Sequence, residues 1–363
     1  MLHDDILQTV DAIDLVSRNL YCIDGALRDF KNVVAIAPRR ASAREGRNSA
    51  ADPAGTKDTL NPALDNILAT DIYKLLYQSP RPITAASGTP LDQCDYFKSQ
   101  LSAANCGTGT WEDGWQIVKS DIKNNQIAVK KNNIVFWVTT DEVKCQGKHD
   151  ASMACRVRIP KEAANLDGGY FTIYGNYSSV GCKAPVEDVV AFYWNLTAKG
   201  APDFVRYCTS ALNEERLHFR VRMLSDPRTY QRSDAAILTI NRADLAETLP
   251  ILQEIHHKLS GEIRSATPMF CRRIAGGLGF AEEPRDDSSF GYSRSKIIAE
   301  ALTGCLTKGH VLKGKILQAV QQSFEEHGID PMAPYALKEH VSDYEQVFDA
   351  AMGFSMRRQE KLT

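Results

Sequence analysis

Five arginines (Arg216, Arg220, Arg222, Arg228 and Arg232) and His218 fall within 17 residues of a 363-residue chain whose net charge is −2. Read as a strand, 217–224 puts Leu217, Phe219, Val221 and Met223 on one face and His218, Arg220 and Arg222 on the other, because strand side chains alternate with period two. Cations in a row along one face repel unless an anion or carboxylates lie opposite. The loop that follows adds Tyr230, Arg232 and Asp234. The planar guanidinium fork suits phosphate oxygens, so the cluster predicts a local anion site. The competing reading pairs each arginine with one of the chain's many carboxylates.

Other motifs are weaker. The segment 105–115 holds three glycines and two tryptophans, and 276–284 is also glycine-rich. Neither has the strand–loop–helix context or the Lys-Ser/Thr pair that a nucleotide loop requires, so both read as tight backbone passages. The nine cysteines include no C-x-x-C pair, which fits a reducing compartment with mostly buried thiols. Cys145, His149 and Cys155 match no familiar zinc spacing, and His256 and His257 read as helix-surface residues. No metal and no cofactor is expected.

These residues need elements to position them. Hydrophobic residues make up 43% of the chain and charged residues 24%, as in an ordinary globular protein. The near-zero net charge gives no reason to expect nucleic acid as a partner. Mean hydropathy is −0.31, no apolar run is long enough to span a bilayer, and the N-terminus is acidic where a signal peptide is basic. A cytoplasmic protein with no membrane partner is the expectation. An apolar stripe predicts a helix over 5–18, followed by a mobile Ala/Ser/Arg-rich stretch at 37–56 that contains Arg39, Arg40, Arg44 and Arg47. Helical spacing returns over 64–78. From 111 the period changes to short β-rich runs, 115–119, 127–131 and 134–138, separated by Asn124-Asn125 and Asn132-Asn133 turns, which predicts an antiparallel meander. Strands are expected at 170–174, 189–196, 217–224 and 235–240. Helices are expected from Pro202 and over 244–259, 293–306 and 311–326. The fold class is α+β, with antiparallel sheet regions packed against amphipathic helices. Three segments follow from composition: 1–60, a helix plus the mobile stretch; 61–330, the body; and 331–363, a helical tail.

The ordered pieces Asn105-x-Gly-x-Gly-x-Trp-x-x-Gly-Trp115, Val190-x-Phe-Tyr-Trp-Asn195, the arginine and Asp-Pro run from Phe219 to Asp234, the glycine-rich run Gly276 to Pro284, and Ser289-Phe-Gly-x-x-Arg294 resemble the HopA-type effector family. That family also contains the stand-alone lyase partners of class V lanthipeptide biosynthesis. The resemblance runs from about residue 65 to 310 and implies an enzyme, a carbon–oxygen lyase. A Ser/Thr kinase of the same pathway, as partner in a heterocomplex, phosphorylates a precursor peptide. The lyase then expels phosphate to leave dehydroalanine or dehydrobutyrine. Such a site needs a base for the Cα proton, cations for phosphate and an acid for the bridging oxygen. The resemblance implies Arg220, Arg222 and Arg232 as phosphate-binding residues, joined by Arg294 near a helix N-terminus. Tyr230 or His218 is the candidate acid and Lys161 or Tyr193 the candidate base, with Asp234 a further alternative. Family members often carry lysine where Arg222 stands. Arginine stays protonated, so a neutral base at 222 does not transfer to this chain. Two other readings compete: an effector-like protein-binding module without catalysis, and a phosphatase with a similar arginine clamp.

Overall fold

The first strong helical stripe ends early. In a computed structural model of the chain, Ile6 and Val10 bury on α1 (Asp4–Asp11), but Ile13 begins a strand, β1 (Ile13–Ser17). The β-branched Ile13 and Val16 favour that geometry, and Ile13 pairs with Ile23 of β2 (Leu20–Ile23). The single helix expected over 5–18 is therefore a helix followed by a strand. The structure describes residues 2–17, 20–29, 62–78, 91–131, 134–147, 149–164, 169–177, 189–285, 288–307 and 312–359. The stretch 37–56 and the Asn132-Asn133 turn lie outside them.

Contacts group the chain into two compact units that interleave in sequence. The first comprises residues 1–81, 268–272 and 287–342. It contains α1, an antiparallel three-stranded sheet completed by β3 (Ala26–Asp29), α2 (Pro62–Ile72), and the two helices that appear below as α6 and α7. A π-helical turn, Tyr73–Tyr77, extends α2, stacking Tyr77 on Phe270 and setting it edge-on to Phe290.

The second unit comprises residues 82–267, 273–286 and 343–363. It opens with α3 (Leu91–Ala104) and the expected meander, β4 (Thr110–Asp121), β5 (Gln126–Lys131) and β6 (Ile134–Thr139). With β7 (Val143–Cys145) and β8 (Ala154–Ile159) these form a five-stranded antiparallel sheet in the order β6-β5-β4-β8-β7. Trp115, Ile117, Ile127, Val129 and Val157 fill its core. The Trp115 indole donates to Glu112 at 2.9 Å, and Lys131 pairs with the same carboxylate at 2.8 Å. Asn125 takes the left-handed conformation (φ 55°) that its side chain tolerates in the β4–β5 turn.

The remaining strands are β9 (Glu162–Ala164), β10 (Tyr170–Tyr174), β11 (Val189–Trp194), β12 (Phe219–Leu224), β13 (Ala236–Asn241), β14 (Arg272–Ala275) and β15 (Leu278–Glu282). They build a seven-stranded sheet in the order β14-β15-β11-β13-β12-β10-β9, antiparallel from β15 through β9. One face is apolar, with Phe192, Trp194, Val221, Leu238, Ile173 and Phe280 all buried. Helices α4 (Ala201–Glu214) and α5 (Leu245–Lys258) pack on it, with Phe204 5.0 Å and His256 6.1 Å from the Trp194 ring. Tyr344 and Phe348 of α8 (Val341–Gln359) add aromatic contacts to Phe280 at 4.9 Å. Each large side chain buried this way contributes roughly 1.5–3 kcal/mol. The helices α6 (Phe290–Thr307) and α7 (Lys313–Glu326) belong to the first unit. No helix among the described residues is long and apolar enough to cross a membrane.

No disulfide occurs among the eight described cysteines. Cys145 and Cys155 are register partners across β7–β8, but no group of three or more His, Cys, Asp or Glu side chains placed to hold a metal occurs among the described residues. Burial pushes the Cys155 thiol up to about 11 and raises that of Cys208 further, whereas Cys106 is exposed. Thiol reactivity follows thiolate fraction and access. Maleimide labelling of the folded protein at mildly alkaline pH is therefore expected to modify Cys106 well before Cys155 or Cys208, as read by peptide mapping.

Candidate functional site

The face of the seven-stranded sheet opposite α4 and α5 carries the polar residues. Cross-strand register sets Ala163, Thr172, Arg222, Ile237, Tyr193 and Gly279 in one row. The adjacent row holds Tyr174, Arg220, Thr239, Ala191 and Ala281. Lys161 joins this second row, because the Tyr174 N–H donates to its carbonyl at 2.9 Å. Arg220 is exposed and Arg222 half-buried. With strands about 4.8 Å apart, Tyr193 and Arg222 have backbones about 10 Å apart, within reach of two long side chains. His218 is exposed and lies one residue ahead of β12, in phase with Arg220.

Tyr170, on β10, lies between two guanidinium groups. The Arg222 and Arg232 carbons are 5.7 and 6.0 Å from its ring centroid, and Arg232 Nη2 donates to its hydroxyl at 3.0 Å. Arg232 is not an open clamp residue. Asp234 fills its fork in a bidentate pair at 2.8 and 2.7 Å, with side chains only 13% and 3% exposed. Where Arg232 was expected to grip phosphate and Asp234 to carry a proton, the structure shows the two as a buried ion pair that also holds the Tyr170 hydroxyl. Removing one member of such a pair leaves an uncompensated charge and costs about 3–5 kcal/mol. Asp234→Ala is therefore expected to lower the denaturation midpoint sharply, and Asp234→Ala combined with Arg232→Met less so, as read by urea unfolding.

Tyr230 also differs from its expected role. It is buried at the end of the loop, its hydroxyl donates to the Leu224 carbonyl at 2.9 Å, and Phe97 packs edge-on at 5.4 Å. Burial raises its phenol well above the ordinary tyrosine range. The loop reaches this position through a capped turn, in which Asp226 accepts from the Arg228 N–H at 3.0 Å and pairs with the Arg228 side chain. A general acid must reach the substrate oxygen, and this phenol is committed to backbone. Arg294 lies in the first unit, 4% exposed. Its Nε donates to the Pro334 carbonyl at 2.7 Å, and its guanidinium sits 4.8 Å from the Phe290 ring centroid. Its guanidinium is thus engaged by a backbone carbonyl and an aromatic ring, both within the first unit.

The two candidate bases have different partners. Lys161 Nζ donates to the Ser102 and Asn105 carbonyls at 3.2 and 3.0 Å at the C-terminal end of α3, where the Asn105 N–H also reaches Ser102. Glu162 beside it accepts from Ser102 Oγ and from Asn105 Nδ2. The glycine-rich passage begins here. Gly109 has φ +71°, and a Cβ there would lie 2.5 Å from the Ile159 carbonyl, so only glycine fits. Tyr193, 3% exposed, donates its hydroxyl to Glu283 Oε1 at 3.0 Å. Neither Tyr170 nor Glu283 was anticipated from sequence. Period two, run along Tyr170-Thr172-Tyr174 and along Gly279-Ala281-Glu283, places both on the arginine face.

Residues 161–336, just under half the chain, match the sequence profile of the HopA1 effector protein family. Every candidate residue discussed here from Lys161 to Arg294 falls within that span. Among solved structures, the chain is similar to the effector protein from Pseudomonas syringae pv. tomato strain DC3000, at 18% identity over 74% of this chain and 89% of that one, with a TM-score of 0.43. It is also similar to the effector protein from Pseudomonas syringae pv. syringae strain 61, at 14% identity over 75% and 95%, with a TM-score of 0.42. No curated protein sequence matches the chain significantly.

Proposed function

We propose that the protein is a phosphoserine/phosphothreonine lyase acting in the cytoplasm on a precursor peptide of lanthipeptide biosynthesis, phosphorylated by a kinase of the same pathway. The observation that supports this reading is the juxtaposition of Arg220 and Arg222 on one strand face with Tyr193 and Lys161 in the same two rows. In the reaction a base takes the Cα proton, the electron pair of that C–H bond becomes the C=C bond, and the C–O bond breaks to release phosphate. The arginines stabilise the charge that grows on the leaving oxygens, which is the largest electrostatic demand of the step. Tyr193 is the favoured base, because its hydroxyl already points its proton at a carboxylate, Glu283. His218 is the favoured acid, being exposed and in phase with the arginines. Tyr230 and Asp234, each committed elsewhere, have no part.

Because arginines carry the leaving-group charge, elimination is expected to proceed at an unchanged rate in EDTA; a rate abolished by chelation and restored by a divalent ion contradicts this. The test of the reading is mass spectrometry of a phosphothreonine peptide incubated with the protein. Loss of phosphoric acid from the peptide supports the lyase, and recovery of the threonine hydroxyl identifies a phosphatase. An unchanged peptide favours the second reading, a protein-binding module without catalysis, which draws on the match of 161–336 to an effector family.

A further inference from the structure

The two sheets of the second unit have four edges, and three of them are short. β7 and β9 have three residues each and β14 has four. β6 has six, Ile134–Thr139, without a proline or a charged residue. Among the described residues it pairs only with β5. Sheet proteins ordinarily blunt such an edge with charge, proline or brevity, since unpaired N–H and C=O groups template another strand. Here Val135 is 54% and Trp137 49% exposed. Exposed apolar side chains clustered at an edge that no described strand covers mark an interaction surface.

We propose that the outer edge of β6 docks an extended peptide segment in which apolar and acidic residues alternate. Backbone pairing supplies the affinity in this mode and alternate side chains supply the selectivity. The charge beside the edge defines the occupant. Register places Val135, Lys130 and Gln116 in one row, and Trp137, Ala128 and Lys119 in the next. Both lysines are exposed. The acids nearest these rows lie at the strand ends and are taken up locally: Glu142 accepts from the Thr139 N–H and hydroxyl, Asp141 bonds the Thr139 side chain, and Asp121 accepts from Asn124. The Lys130 stem can cross Val135 to meet a carboxylate on an added strand, while Trp137 offers an apolar surface to the alternate residues. The chain's own stretch 37–56, with Arg39, Arg40, Arg44 and Arg47, has the wrong charge for this edge.

The test uses the full chain and a short synthetic peptide alternating valine and glutamate, labelled for fluorescence anisotropy at low ionic strength. Saturable binding is expected, weakened about tenfold or more, equivalent to about 1.4 kcal/mol, when lysine replaces glutamate in the peptide. N-methylating the amides on one edge of the peptide is expected to abolish binding, and on the other edge to leave it intact. This arm needs no protein variant and so does not depend on any substitution folding. Lys130→Glu is expected to reverse the preference between the acidic and basic peptides, and Trp137→Ser to weaken both. The inference is overturned by no saturable binding, by equal affinity for the two peptides, or by indifference to N-methylation. A wild-type dimer in sedimentation that Val135→Lys dissociates also overturns it, since a second copy then covers the edge.

Discussion

Tyr193→Phe is expected to reduce elimination from a phosphopeptide by about a hundredfold to ten-thousandfold, the usual contribution of a positioned proton-transfer group, with little change in phosphopeptide affinity. The substitution keeps the ring and its packing while deleting the hydroxyl that Glu283 accepts at 3.0 Å. Proton abstraction belongs to the transition state alone, so its loss falls on turnover and spares ground-state binding. Glu283→Gln is expected to act in the same direction, because an amide cannot take the phenolic proton. Lys161→Ala is the comparison. It removes donors from the Ser102 and Asn105 carbonyls, so its expected effect is on stability. Should Lys161→Ala abolish turnover in a protein that still melts cooperatively while Tyr193→Phe is active, the assignment of the base is reversed.

The second large effect concerns the arginines. Arg220→Ala and Arg222→Ala are each expected to weaken phosphopeptide binding and slow elimination together. Each removes a charge-assisted interaction made in the bound state and strengthened as phosphate departs, a loss of about 2–4 kcal/mol in kcat/KM. Arg222→Lys is expected to keep part of the activity, since lysine preserves the charge but loses the planar fork. Arg232→Ala is expected to fail differently: Asp234 is left buried without its partner, so the protein destabilises and Tyr170 loses its hydrogen bond. Titration calorimetry with phosphothreonine peptide, paired with thermal melts, separates the two patterns. Unchanged binding and turnover in both Arg220→Ala and Arg222→Ala misplaces the site.

Much of this arrangement was legible from period alone. Alternation over 217–224 correctly put Arg220 and Arg222 opposite Phe219 and Val221, because a strand with one buried face fixes its register strongly. The meander from Trp115 to Trp137 was readable from β-branched runs and the Asn124-Asn125 turn. Other features depend on the partner strand. Glu283 meets Tyr193 across the Ala191–Ala281 pair, a contact between residues 90 apart in sequence that no local pattern encodes. The pairing of Arg232 was hidden, because a loop arginine two residues before an aspartate looks the same in sequence whether it is open or paired; the 13% and 3% exposures show it paired. The surroundings of Arg294 were hidden for a related reason. Its distance from a helix start was visible, but its burial against Phe290 and the Pro334 carbonyl was not. The helix expected over 5–18 failed because apolar residues at 13, 15 and 16 fit a short strand as well as a helical turn.

The most direct measurement is the fate of the Cα hydrogen. A phosphothreonine peptide deuterated at Cα of the modified residue is incubated with the protein and the product weighed by mass spectrometry. Elimination breaks the Cα–D bond, so the account predicts a dehydrobutyrine product that has lost deuterium and phosphate together, with a slowed rate relative to the protiated peptide. A product that has lost phosphate yet retains the deuterium contradicts it, because the bond broken was then only that of a phosphate ester.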